Sequence, residues 1–109
     1  MVDDQRQPWF TSAVFEVRQT AAFAEWLNAL GDLAAQARVL ERLRRLQGGN
    51  FGDSKSVGEG VSELRMDFGP GYRADYVRRG KEVILLLCGG DKATQKHDII
   101  QARKLAKEF

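Results

Sequence analysis

The chain has 109 residues, 43 % hydrophobic and 29 % charged, with a net charge of +2. That is the size of one domain, and two would leave neither half a useful core. The composition excludes general disorder, and no apolar run is long enough to span a bilayer as a helix.

Residues 1–11 read as a polar, frayed leader with a Pro8-Trp9-Phe10 anchor and no signal-peptide core. Residues 12–109 read as one domain. Ser12 to Arg18 forms a short β-type run around Val14, Phe15 and Val17. Thr20 is placed to cap a helix carrying Phe23, Trp26, Leu27 and Leu30. Gly31 stops it, and Asp32 can cap the next. Leu33, Ala37, Leu40, Leu43 (or Arg44) and Leu46 (or Gln47) continue a 3.6-residue period until Gly48-Gly49-Asn50. Two helices with almost no linker fold back as a hairpin.

Asn50 to Gly60 has no periodic apolar signal and reads as an exposed loop. A strand follows, with Leu64, Met66 and Phe68 alternating, then a Gly69-Pro70-Gly71 turn. The next strand places Tyr72, Ala74 and Tyr76 on one face. After Arg79-Gly80-Lys81, Val83 to Cys88 is an uninterrupted apolar strand covered on both faces. From about Thr94, Ile99, Ala102, Ala106 and Phe109 mark one face of a last helix. The order is β-α-α-β-β-β-α, an α+β domain with a four-stranded, antiparallel-rich sheet and helices on one face.

The lone cysteine, Cys88, lies inside the apolar run, as a buried structural thiol would, and no intrachain disulfide can form. These features favour a reducing cytoplasm. One histidine, one cysteine and scattered acids form no metal-ligand motif, so no cofactor is expected. Charge is uneven: every lysine lies at or after Lys55, and the first half uses arginine only.

Three stretches carry a family resemblance: Phe51-Gly52-Asp53-Ser54-Lys55, Leu64 to Arg73, and Leu86-Leu87-Cys88-Gly89-Gly90-Asp91-Lys92. Together they resemble the phage-derived, HigB-like "addiction module killer" branch of the RelE/ParE toxin superfamily, over roughly residues 12–108. The resemblance implies a toxin paired with an antitoxin, commonly a helix-turn-helix DNA-binding protein. For the RelE and HigB branches it implies a ribosome-dependent endoribonuclease that cuts mRNA. The ParE branch has the same fold and poisons DNA gyrase. A non-toxic nucleic-acid or protein-binding module on the scaffold is a third reading, because fold does not fix function.

RNA carries its own nucleophile, the 2′-OH, so cleavage needs alignment, charge stabilisation and a proton for the leaving oxygen. Arg73 alternates with Tyr72 and Ala74 and can leave the core. It matches the arginine of the RelE-type Gly-Tyr-Arg motif, whose implied role is phosphate binding. Arg65 alternates with Leu64 and Met66 and can approach Arg73 across an antiparallel pair. Glu63 departs from the lysine RelE carries. Lys92 matches a basic region of RelE, and Lys96 and His97 follow one turn on. His97 can shuttle a proton or be a plain surface residue. Asp91 fits a helix cap. Tyr72 and Tyr76 can stack a base or fill the core. Arg38, Arg42 and Arg45 form a stripe on the second helix that suits RNA, an acidic antitoxin segment or bare solvent. Lys55, on the presumed loop, can touch an RNA backbone or nothing.

Overall fold

The computed structural model describes residues 14–109. The leader and the first residues of the Ser12–Arg18 run lie outside the described residues. The elements are β1 (Glu16–Gln19), α1 (Ala21–Ala29), α2 (Leu33–Gln47), β2 (Asp53–Gly58), β3 (Val61–Arg65), β4 (Arg73–Arg79), β5 (Val83–Gly90), a 3₁₀ turn (Lys92–Thr94) and α3 (Gln95–Glu108).

Among the described residues the sheet has five strands, in the order β1-β5-β4-β3-β2, where the sequence predicts four. The additional strand is β2, in the presumed loop. It is an edge strand in which no residue is fully buried and Asp53 to Ser56 are all polar, so the apolar alternation that marks a strand is missing. What betrays it is the turn: Gly58, Glu59 and Gly60 all have positive φ, and two glycines make that conformation cheap. β1 pairs parallel with β5, and the other pairs are antiparallel.

Both helix starts are capped as the side chains dictate. Thr20 Oγ accepts from the Phe23 amide at 3.1 Å, and Asp32 Oδ1 from Ala34 at 2.9 Å. Each such cap is worth about 1 kcal/mol. The buried face of α2 is Ala35, Val39, Leu43 and Leu46, whereas Leu33 and Leu40 stand exposed. The expected period is right, but its phase is set about half a turn away at the N-terminal end.

The helices cover both faces of the sheet, not one. On the first, α1 and α2 pack Phe23, Val39 and Leu46 onto Leu64, Ala74, Tyr76, Ile84 and Leu86. On the second, Ala102 of α3 packs onto Val61, Val77, Leu87 and Cys88. A β-bulge makes the second layer possible. Asp75 pairs with Cys88 but Tyr76 with Leu86, so Leu87 is an extra residue. Leu87 and Cys88 therefore both join the α3 layer. Gly89 and Gly90 then receive the two helical layers, because a Cβ at Gly89 would overlap Trp26 and one at Gly90 would overlap Asp98 and Thr94. Phe109, expected on the packed face of α3, is 63 % exposed.

Candidate functional site

Two rows of side chains cross the α3 face where β3 ends and β4 begins. One runs Asp53–Arg65–Arg73–Gly90, the other Lys55–Glu63–Asp75–Cys88. Alternation puts Glu63 and Arg65 on the same face, and the register sets Arg73 opposite Arg65. Glu63 is 1 % exposed and receives both arginines: Arg73 Nη1 at 2.9 Å and Arg65 Nε at 3.1 Å, each to Oε1. Gln95, the first residue of α3, donates its amide to both carboxylate oxygens at 3.0 Å. Arg73 Nε also bonds the Gly71 carbonyl at 3.3 Å.

The two guanidiniums are therefore fixed by a buried carboxylate, rather than standing free in solvent as the alternation pattern suggests. The side chain of Arg73 is 13 % exposed and that of Arg65 35 %. Two cations share one buried carboxylate and are held at a rigid place. Among the described residues, Arg73 Nη2 and both Nη groups of Arg65 make no hydrogen bond to protein. Such groups can bind phosphate oxygens at little cost in reorganisation. Glu63 is engaged on both oxygens and is not free to act as a base.

Beside this clamp lies a buried acidic pair. Asp75 is 1 % exposed and stands next to Glu63, with its Oδ1 unpartnered among the described residues. Burial, then the neighbouring Glu63 charge, pushes its carboxyl up to about 7. Asp98 Oδ2 accepts from Thr94 Oγ1 at 2.5 Å. Cys88 is buried as expected. Its Sγ lies 3.3 Å from the Asp98 carbonyl, and burial pushes the thiol well above its ordinary range.

Lys92 is exposed and lies two residues after Gly90, the strand partner of Arg73. A Cβ on Gly71 would stand 3.4 Å from the Lys92 Cβ, so this lysine belongs to the same end of the sheet. Asp91 caps the 3₁₀ turn in a reciprocal arrangement with Thr94. Lys96 and His97 are exposed on the first turn of α3. Gln95 faces Glu63, and His97, two positions on, is about 200° further round the helix. His97 therefore does not join the clamp. Lys55 sits on β2 opposite Glu63, not on a loop, and is exposed at the sheet edge.

Tyr76 corrects the base-stacking expectation. It is 3 % exposed, stacks on Phe51 at 6.3 Å and donates to Ser54 Oγ at 3.0 Å, so its ring is core. Tyr72 is half-buried between Trp26 and Phe68. On α2, Arg38 lies over the Phe68 ring, 4.0 Å from its centre. Arg42 bonds the Arg65 carbonyl at 3.1 Å, and Arg45 pairs with Glu41 at 3.6 Å.

The sequence reading missed Gln95, Asp75 and the positioning part of Glu63. The i,i+2 spacing of Glu63 and Arg65 was the available signal for the last. For Gln95 there was none, because nothing local says that α3 will cross this face.

Comparison with known proteins supports the fold and gives the family. A solution structure of the conserved hypothetical protein HP0894 from Helicobacter pylori superposes with a TM-score of 0.50 at 18 % identity. It covers 72 % of this chain and 96 % of that one. An uncharacterized protein of Haemophilus influenzae (strain Rd) is 48 % identical over 94 residues, 86 % of this chain and 95 % of its own. Residues 25–107 match the family described as "Phage derived protein Gp49-like (DUF891)". The chain belongs to this Gp49-like family of phage-derived proteins.

Proposed function

We propose that the protein is the toxin of a type II toxin–antitoxin pair and a ribosome-dependent endoribonuclease that cuts mRNA and stops translation. One observation carries the reading: Arg65 and Arg73 face each other across β3 and β4, both held by buried Glu63. In the reaction the RNA 2′-OH attacks the adjacent phosphorus, and the bond to the 5′-oxygen of the next nucleotide breaks. The products are a 2′,3′-cyclic phosphate and a free 5′-OH. Arg73 and Arg65 stabilise the charge on the phosphorane oxygens, and Lys92 adds a third cation. Glu63 is engaged and His97 faces away, so neither serves the clamp as its base. A reaction completed by groups of the ribosome accounts for that.

The test is primer-extension mapping of an mRNA with the purified protein, with and without ribosomes. Cuts that need ribosomes support the reading. Intact mRNA sinks it. A second reading has its own support: Arg73 is 13 % exposed and largely consumed in packing. On that reading the fold poisons DNA gyrase without hydrolysis, and a supercoiling assay separates the two.

The resemblance also motivates an antitoxin partner, a small helix-turn-helix protein encoded beside the gene. It would neutralise the toxin by masking its cationic surface. Co-expression of a neighbouring reading frame should restore growth. If no neighbour does so, the pairing fails.

A further inference from the structure

The α2 arginines border a cleft of about 270 Å³ lined by Ala37, Arg38, Glu41, Arg42, Arg45 and Phe68. It lies on the helical-hairpin side of the sheet, away from the clamp face. Its lining carries three guanidiniums and one carboxylate, Glu41, with a second carboxylate, Asp67, beside Arg42. Its shape is specific. The Arg38 guanidinium lies over Phe68, which itself rests edge-on against Tyr72 at 5.7 Å. Arg38 is exposed, so this planar stack has a place for another planar group. Arg42 is held in place by the Arg65 carbonyl at 3.1 Å and Asp67 at 3.7 Å.

We infer that this cleft is a nucleotide subsite for single-stranded RNA: a base stacks on the Arg38–Phe68 pair, and phosphates meet Arg42 and Arg45. The inference rests on the RNA reading of the clamp and deepens it. Guanidinium and aromatic planes stack bases whatever their identity, and neighbouring cations track the backbone. An acidic protein segment would use the charges but has no need of the flat stack, which favours RNA. The bond from Arg42 to the Arg65 carbonyl joins the cleft to the clamp. One strand passing over the end of the sheet can then occupy both.

The experiment uses the full chain and a short fluorescein-labelled RNA of mixed sequence, followed by anisotropy across a salt series. A second oligonucleotide carries 2-aminopurine, whose emission reports stacking. Phe68→Leu keeps the packing bulk and loses the ring. It and Arg38→Gln should each weaken binding about tenfold and remove the 2-aminopurine response. Arg45→Gln should keep that response and lower the salt dependence by about one phosphate contact. Wild-type protein that does not bind either RNA overturns the inference. So do cleft variants that bind and report stacking like wild type, or that lose only the neighbour-encoded protein partner. Primer extension run in parallel keeps the two proposals apart. RNA bound through the cleft but left uncut on ribosomes sinks the nuclease reading alone. Cutting that needs Arg73 while cleft variants bind normally sinks the subsite alone.

Discussion

A carboxylate at 1 % exposure is expensive to hold ionised, by several kcal/mol, unless its oxygens are fully paired. Glu63 meets that condition with two guanidiniums and one amide. Removing one partner therefore has two consequences, one for stability and one for any bound phosphate. Arg73→Gln alone should destabilise the fold by roughly 3 kcal/mol, because it strips the closest cation from a buried anion. The double variant Arg73→Gln with Glu63→Gln should be less destabilised than that single change, which urea denaturation of the set will read. Equal or greater loss in the double variant would mean that the pair is not the unit described. Asp75 gives a separate prediction. Its carboxyl rises from 3.8 to about 7 on folding. Between those values the folded chain keeps a proton that the unfolded chain has released. Stability therefore falls as pH rises from about 4 to about 7, and this term is flat above. Asp75→Asn should remove the slope, a difference on the order of 2 kcal/mol between pH 5 and pH 8. Parallel pH profiles for wild type and variant would contradict the assignment. The arginines themselves were legible from alternation, since Arg65 and Arg73 sit out of phase with Leu64, Met66, Tyr72 and Ala74. What covers them was not, because it depends on where α3 crosses.

At the scale of elements, α3 depends on the strand end that receives it. Gly90 leaves room for Asp98 and Thr94, and Gly89 for Trp26. Gly90→Ala should unseat the first turn of α3 and with it Gln95, costing roughly 1–3 kcal/mol as overpacking does. Thermal melts will measure the loss; an unchanged midpoint would mean that α3 does not seat on this glycine as described. Tyr76→Phe should cost about 1 kcal/mol through its lost bond to Ser54 and leave RNA binding unchanged. A large loss of RNA affinity in that variant would return Tyr76 to the binding surface. Helices were the legible part of the sequence: Thr20, Asp32 and the apolar period mark both starts and the hairpin. β2 was not, because an edge strand of Asp53, Ser54, Lys55 and Ser56 buries too little to show a period. The bulge at Leu87 also hides in a run where every residue is apolar. The unbroken apolar run told that this strand is covered on both faces, but alternation there cannot tell which face each side chain takes, and nothing in it said that α3 supplies the second cover.

For the molecule as a whole, the sheet end at β3–β4 gathers the cations. Arg65, Arg73 and Lys92 lie toward α3, and Arg38 and Arg42 toward the helical hairpin, with the Arg65 carbonyl between them. A net charge of +2 over 109 residues hides this concentration. Among the described residues, no helix is long and apolar enough to cross a membrane. An anionic polymer that reaches both sides of the sheet end fits the distribution. The most direct measurement is primer extension on a defined mRNA translated by purified ribosomes, with wild type and Arg73→Ala, each first shown by circular dichroism to be folded. The account predicts cuts by wild type only when ribosomes are present, and cutting about 10²–10³-fold slower in the variant. Intact mRNA with wild type, or a folded Arg73→Ala that cuts at the wild-type rate, would contradict it.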